Sequence, residues 1–311
     1  MKKLLTLYLL LTCILTDIAF AQNPSVENGH IKRLVNFPSK FVAPRNVDVW
    51  LPSSYDPSKK YAVLYMHDGQ MLFDSTLTWN KQEWGIDEVV GKLILENKIE
   101  DCIVVGIWNS GSSRHSDYFP QKPFEALPTA YRENLAKLPS TVKEIALFAS
   151  GVQSDDYLKF LVKELKPYID SNFSTRPERE NTFIAGSSMG GLISWYAMCE
   201  YPETFGGAAC LSTHWVGIFS TQNNPIPVAF MTYLKKNLPS PVTHKLYFDY
   251  GTETLDALYE PYQKQVDEIM KEKGYTSSSW VTKKFVGEDH SERAWRKRLA
   301  IPVTFLLGQN K

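Results

Sequence analysis

The stretch Thr182-Phe-Ile-Ala-Gly-Ser-Ser-Met-Gly-Gly-Leu-Ile-Ser-Trp-Tyr-Ala-Met-Cys199 admits few folds. Phe183 to Ala185 is short and apolar, as suits a strand covered on both faces, and after Gly190-Gly191 the apolar residues recur at helical spacing. Between them Gly186-Ser187-Ser188-Met189-Gly190 fits G-x-S-x-G, with Ser188 at its centre. A serine on so sharp a strand-to-helix turn is forced into strained backbone geometry, and a β-carbon at either flanking glycine would collide with the neighbouring strand or helix. Its hydroxyl is pushed out above the sheet edge. A glycine-rich turn without chemistry is the plain alternative, but the strand before and the helix after are the context that the motif requires.

With 311 residues the chain can bury a large core, and 34 acidic residues balance 34 basic ones. Nothing in that balance favours nucleic acid or an anionic membrane as partner. The N-terminus reads as an export signal: Met1-Lys2-Lys3 supplies positive charge, Leu4 to Phe20 is mostly apolar, and Ala19-Phe20-Ala21 matches a small-x-small cleavage site. The expected mature chain starts near Gln22 and resides in the periplasm or outside the cell. Asp17 breaks the apolar run, which falls short of the about 20 residues of a membrane span. Cys13 follows Leu-Thr, a poor context for a lipid anchor. Past the signal, Cys102, Cys199 and Cys210 are odd in number and lack C-x-x-C spacing, so buried free thiols are expected rather than disulfides or a metal site.

Along the chain, His30 to Phe37 and Asn46 to Leu51 read as an antiparallel start to a sheet, with Val47, Val49 and Leu51 inward and Asp48 and Trp50 outward. Tyr61 to Met66 is a buried strand leading into His67-Asp68-Gly69-Gln70. Trp84 to Leu95 has a helical stripe, and Cys102 to Trp108 is another buried strand, so a parallel crossover is expected. Asn109 to Asp155 is polar and without period; it reads as an insertion over the site, with Arg114, Tyr118 and Phe119 as possible cleft residues. Asp156 to Ile169 is amphipathic, and Pro167 should bend or end it. After the elbow come strands at Gly206 to Leu211, His244 to Tyr250 and Trp280 to Val286, with helices at Ile226 to Leu238, Tyr259 to Met270 and from Ser291. The fold class is α/β: one domain over 22–311, a mostly parallel central sheet with antiparallel N-terminal strands, and helices on both faces.

A serine hydroxyl needs a base within reach, itself oriented by a third group. On a strand–elbow–helix platform the chain order is Ser, then acid, then His. Of six histidines, His30, His67 and His115 precede Ser188, and His214 and His244 precede the acid loop, which leaves His290. Gly287-Glu-Asp-His290 lies between the last strand and the last helix, at the sheet's carboxyl edge. The acid falls within Gly251-Thr-Glu-Thr-Leu-Asp256; Asp256 is favoured and Glu253 is the runner-up, while Asp249 is expected to face packing or solvent. Oxyanion donors are expected at the backbone N–H of Met189 and at an amide near Gln70.

Together these residues resemble the esterase branch of the α/β-hydrolase superfamily, which includes feruloyl and acetyl-xylan esterases, esterase D, enterochelin esterases and mycolyltransferases. The resemblance rests on Arg45-Asn-Val-Asp-Val-Trp-Leu-Pro52, Val63-Leu-Tyr-Met-His-Asp-Gly-Gln70, Glu164-Leu-Lys-Pro-Tyr-Ile-Asp170, Ala185-Gly-Ser-Ser-Met-Gly-Gly191, Tyr250-Gly-Thr-Glu-Thr-Leu-Asp256, and Gly287-Glu-Asp-His290 with Trp295. It implies an α/β-hydrolase fold, Ser188 as nucleophile, His290 as base, and an acid in the loop after Gly251. In relatives that acid commonly stands two or three residues after the glycine, where this chain has Glu253 and Thr254. The implied function is an exported serine carboxylesterase acting on a carbohydrate-linked or small acyl or aromatic ester. The alternatives are acyl transfer to another acceptor, siderophore ester hydrolysis, or a non-catalytic ligand-binding relative. No cofactor or metal is called for, because a triad performs acyl transfer unaided.

Overall fold

The computed structural model describes residues 23–135, 137–138, 147–148 and 151–308. The segment 1–21, read as an export signal, lies outside the described residues, as do parts of the 109–155 insertion.

Eight strands make one sheet: β1 His30–Phe37, β2 Arg45–Leu51, β3 Ala62–His67, β4 Cys102–Ile107, β5 Thr182–Ser187, β6 Gly207–Leu211, β7 Lys245–Gly251 and β8 Trp280–Phe285. Their order is β1-β2-β4-β3-β5-β6-β7-β8. β3 to β8 are mutually parallel, and β1 and β2 are antiparallel. The short link between β1 and β2 permits an antiparallel pair, whereas the parallel strands require crossovers. Between β3 and β4 that crossover carries α1 Ile86–Leu95.

The central parallel strands β3 to β6 are wholly buried because both faces are covered, whereas the edge strand β8 is not. One face packs Val63, Tyr65, Ile103, Val105 and Ile184 against Leu192, Ile193 and Tyr196 of α7 Met189–Glu200. The other packs Leu64, Met66, Val104, Phe183 and Ala185 against α1, against Trp295 and Val303 of the last two helices, Glu292–Arg298 (α10) and Ala300–Leu307 (α11), and against Leu299 between them. This second core corrects the reading of Asp48 and Trp50 as outward residues, for both are buried. Their alternation with Val47 and Val49 separates two cores, not core from water. Asp48 tolerates its position by accepting from Arg33 and from the Trp108 indole N–H.

The insertion is more ordered than its composition suggests, with short helices at Arg114–Tyr118 (α2), Gln121–Glu125 (α3) and Thr129–Leu135 (α4). Tyr118 and Phe119 are fully buried and belong to the core rather than to a cleft. The helix expected to bend at Pro167 runs as α5 Ser154–Phe160, a π turn Leu161–Leu165, and α6 Lys166–Asn172 with the proline in its first turn. The wide turn just ahead of Pro167 relieves its clash with the carbonyl one turn back. The remaining long helices are α8 Ile226–Asn237 and α9 Glu260–Glu272.

Candidate active site

β5 delivers Ser188 to the carboxyl edge of the sheet, and α7 leaves directly from it. Ser188 has φ 57° and ψ −119°, a region that serine occupies only when its surroundings force it. Those surroundings are explicit: its N–H donates to Leu211 O at 2.9 Å, and its carbonyl accepts from His214 N–H at 3.2 Å. The flanking glycines are steric necessities. A β-carbon on Gly186 would come within 2.9 Å of the Gly190 backbone, and one on Gly190 within 3.3 Å of the His67 β-carbon. The Ser188 hydroxyl forms no capping bond to its own helix.

β7 ends at Gly251, and a 3-10 turn over Thr254–Leu258 carries Asp256. Asp256 is fully buried, and its Oδ1 lies 2.5 Å from His290 Nδ1. Its Oδ2 accepts from the Gly251 N–H at 2.6 Å and from the Ser212 hydroxyl at 2.5 Å. Burial alone would raise this carboxyl's pKa, but the His290 contact and the Ser212 and Gly251 donors hold it below the usual carboxylate range. Glu253, the other acid considered, is solvent-exposed. The His290 N–H donates to Thr254 Oγ1 at 3.0 Å, tying the histidine loop to the acid loop.

Behind Asp256 stands a buried polar layer that sequence reasoning missed. Ser212 accepts from the Trp295 indole N–H at 2.9 Å and from Arg298 Nη2 at 2.8 Å. Arg298 also pairs with Asp249 through two bonds, at 2.9 and 3.2 Å. Asp249 therefore faces neither solvent nor apolar packing, because it is the buried counter-ion of a buried arginine. Neither partner shows a local motif, since they meet across 49 positions.

Tyr259 was missed for the same reason. Its buried hydroxyl lies beside the Ser188 side chain and 2.8 Å from His214 Nδ1, while its ring meets the His290 ring edge-on with centroids 5.9 Å apart. Ser188 and His290 thus touch opposite parts of one side chain. The other histidines near the sheet top are held neutral. Burial pushes His67 down to about 3 and His115 to about 4, and takes His214 well below its ordinary value.

The loop after β3 starts with Asp68 in the left-handed region, φ 57°. Arg114 grips the Asp68 carboxylate with two bonds of 2.7 Å, and Asn109 adds a third at 2.7 Å. Arg114, read from the sequence as a cleft residue, is therefore a brace from α2 onto this loop. Burial would raise the Asp68 pKa, but Arg114 keeps it low. Gln70 follows within the 3-10 turn Gly69–Met71, and its Oε1 accepts from the Asn109 N–H at 3.2 Å. Met189 opens α7, where the first N–H groups have no acceptor in their own helix. The Gly190 spacing against His67 and Asp68 sets these two amide-bearing segments side by side.

Among the described residues no helix is long and apolar enough to cross a membrane, and Cys102, Cys199 and Cys210 are free, with Cys199 half-buried rather than buried as expected.

The family model described as Putative esterase matches residues 39–304. The chain is 22% identical over 275 residues to the Bacillus subtilis protein YbbA, covering 86% of this chain and 94% of that one. It is 26% identical over 200 residues to an endo-1,4-beta-xylanase/feruloyl esterase of Xylanibacter ruminicola, covering 62% of this chain and 23% of that protein. Among solved structures, a ferulic acid esterase of the anaerobic fungus Anaeromyces mucronatus superposes with TM-score 0.61 at 20% identity, covering 93% of each chain. The enterochelin esterase of Shigella flexneri gives 0.60 at 18%, covering 93% of this chain and 60% of that one. The fold is that of the α/β-hydrolases, as expected.

Proposed function

Because the chain belongs to the Putative esterase family of carboxylic ester hydrolases, we propose that it cleaves its ester through a covalent acyl-enzyme on Ser188, with His290 as base and Asp256 as the acid that orients it. The observation that carries this reading is the contact between His290 Nδ1 and the buried Asp256 carboxylate, with Tyr259 spanning the distance from that histidine to Ser188. With Nδ1 committed to Asp256, the proton-accepting position on the imidazole is Nε2.

In the first half-reaction Ser188 Oγ attacks the ester carbonyl carbon and its proton passes to His290 Nε2. The N–H of Met189 and an amide of the Gln70 turn receive the negative charge that develops on the carbonyl oxygen. The carbon–oxygen bond to the alcohol then breaks, and His290 returns the proton to the departing oxygen. In the second half a water gives a proton to the same nitrogen and attacks the acyl carbon, releasing the acid and restoring Ser188. Asp256 stays ionised throughout and compensates the imidazolium.

The ester is an acyl or aromatic group carried on a carbohydrate, in keeping with the ferulic acid esterase and xylanase/feruloyl esterase names among its relatives. Residues 1–21 direct the chain out of the cytoplasm. Ser188→Ala should abolish turnover of p-nitrophenyl acetate in a protein that still melts cooperatively, and a fluorophosphonate probe should label the parent chain at Ser188 alone. Undiminished hydrolysis by the alanine variant would remove the nucleophile from this scheme.

A further inference from the structure

The loop between the Gly69–Met71 turn and α1 carries a tryptophan, Trp79, whose side chain is 84% exposed, with Leu77 43% exposed beside it. An indole left in water on a floppy loop would call for no explanation. This loop is instead fixed bond by bond. Thr78 is buried and donates to Ser75 O at 3.0 Å, the Asp74 carboxylate accepts from the Thr76 N–H and hydroxyl, and Lys81 reaches Thr76 O at 2.7 Å. The Ser75 N–H donates to Glu83, and Asn80, the next residue after Trp79, donates to Glu292 of α10 at 2.8 Å. The ring is held out by a rigid frame.

It borders a cleft of about 410 Å³ that Phe73, Leu77 and Trp108 also line. Gly69 and Gln70, from the turn to which an oxyanion donor is assigned above, line the same cleft and are its link to the proposed reacting centre. Its fixed charges are an Asp48–Arg33 pair and the carboxylate of Asp74, which keeps its charge on neutral donors and would repel an anion. Asp48 is neutralised by Arg33 and bonded by the Trp108 indole N–H, the Arg33 guanidinium also lies over the Trp108 ring at 4.7 Å, and Asp74 is bonded by Ser25 and Thr76. A ligand suited to these walls is uncharged, offers C–H faces to indoles and keeps its hydroxyls in water or on groups such as Gln70. Those are the properties of a neutral sugar ring. A planar aromatic acid would gain more from a closed slot than from a platform that leaves its outer face wet.

We propose that this cleft is a carbohydrate subsite, in which Trp79 and Trp108 hold neutral sugar residues of the glycan that bears the ester. The proposal rests on the esterase reading above and adds the place where the polysaccharide lies.

Two measurements separate the failure of one from the failure of the other. With Ser188→Ala protein, xylohexaose or cellohexaose should shift the tryptophan fluorescence saturably, and adding Trp79→Ala should weaken that binding at least tenfold; this needs no turnover. With active protein, Trp79→Ala should raise KM for a feruloylated xylo-oligosaccharide about tenfold relative to its effect on p-nitrophenyl acetate, with kcat held, and Trp79→Phe should recover most of the loss. If neither oligosaccharide binds, or if Trp79→Ala raises KM for methyl ferulate as much as for the glycosyl ester, the subsite is overturned. Absence of turnover in the parent chain alongside intact oligosaccharide binding would overturn the esterase mechanism and leave the subsite standing.

Discussion

Around Asp256 both carboxylate oxygens have donors that are themselves held by buried groups, whereas on the opposite flank of the sheet edge Trp79 stands almost naked in water. Both regions are rigid, but they are rigid for different reasons. The β6–β8 flank is stiff because buried charges are costly to leave without partners; Arg298, Asp249, Ser212 and Asp256 form a chain in which each member is the partner of the next. The β1–β4 flank is stiff because a surface loop is stitched to itself and to α10 by short-range polar bonds. The first arrangement holds His290 against Asp256, and the second presents a surface that a bulky ligand can reach. Damage should therefore spread differently in the two.

The sharpest break is expected at Asp256→Asn. The amide can still accept from Gly251 and Ser212, but it cannot hold His290 Nδ1 as a proton donor to a charge, so kcat should fall by about a thousandfold or more with little change in KM. Steady-state kinetics at saturating aryl acetate read this directly. Next is Arg298→Ala, which strands Asp249 as an unpaired buried charge and should lower unfolding stability by about 3–5 kcal/mol, seen in urea denaturation. A loss under 1 kcal/mol would mean that the Arg298–Asp249 pair holds this flank less firmly than its burial implies.

On the other flank Arg114→Ala should cost kcat/KM roughly tenfold to a hundredfold by loosening Asp68 and the donor turn behind it. Its melting temperature should move much less than that of Arg298→Ala, because Asp68 keeps Asn109 and lies nearer to water. Tyr259→Phe is a smaller test of how far the buried network reaches: loss of its hydroxyl removes a bond to His214 and a neighbour of the Ser188 side chain, for a several-fold fall in kcat.

The smallest effect concerns Asp87 in α1, whose carboxyl burial and the neighbouring Glu88 push up to about 7. An acid whose folded pKa is raised stays protonated in the native state where the unfolded chain has already ionised. Its contribution to stability is therefore present at about pH 4 and is lost as the pH rises through about 7. Asp87→Asn, which can still accept from the Glu27 N–H, should flatten the pH dependence of the melting temperature across that window.

Most of the fold was legible because buried parallel strands announce themselves as unbroken apolar runs, as in Val63–Met66 and Ile103–Val105. The strand–elbow–helix of Ser188 was legible because glycines at 186 and 190 have a steric cause that acts locally. His290 followed from chain order. Asp256 needed more than order: in sequence it differs from Glu253 by three positions, and what separates them is that one faces Ser212 and the other faces water. Asp249, Arg298, Tyr259 and His214 were invisible as a group, since each bond joins elements tens of residues apart and none has a periodic signature. Trp50 and Asp48 were misread because alternation along a strand says which residues share a side, not whether the other side is wet.

The seat of Asp256 is assembled from distant parts of the chain, with Ser212 joined to Asp256 across 44 positions, to Trp295 across 83 and to Arg298 across 86. Contacts of such separation form late in folding, after the local strand–helix units have condensed. A partly folded molecule with the elbow already built but α10 not yet docked has its serine beside an undirected imidazole. Under the scheme proposed above such a molecule should hydrolyse nothing until α10 docks, which ties the gain of activity to completion of the tertiary structure.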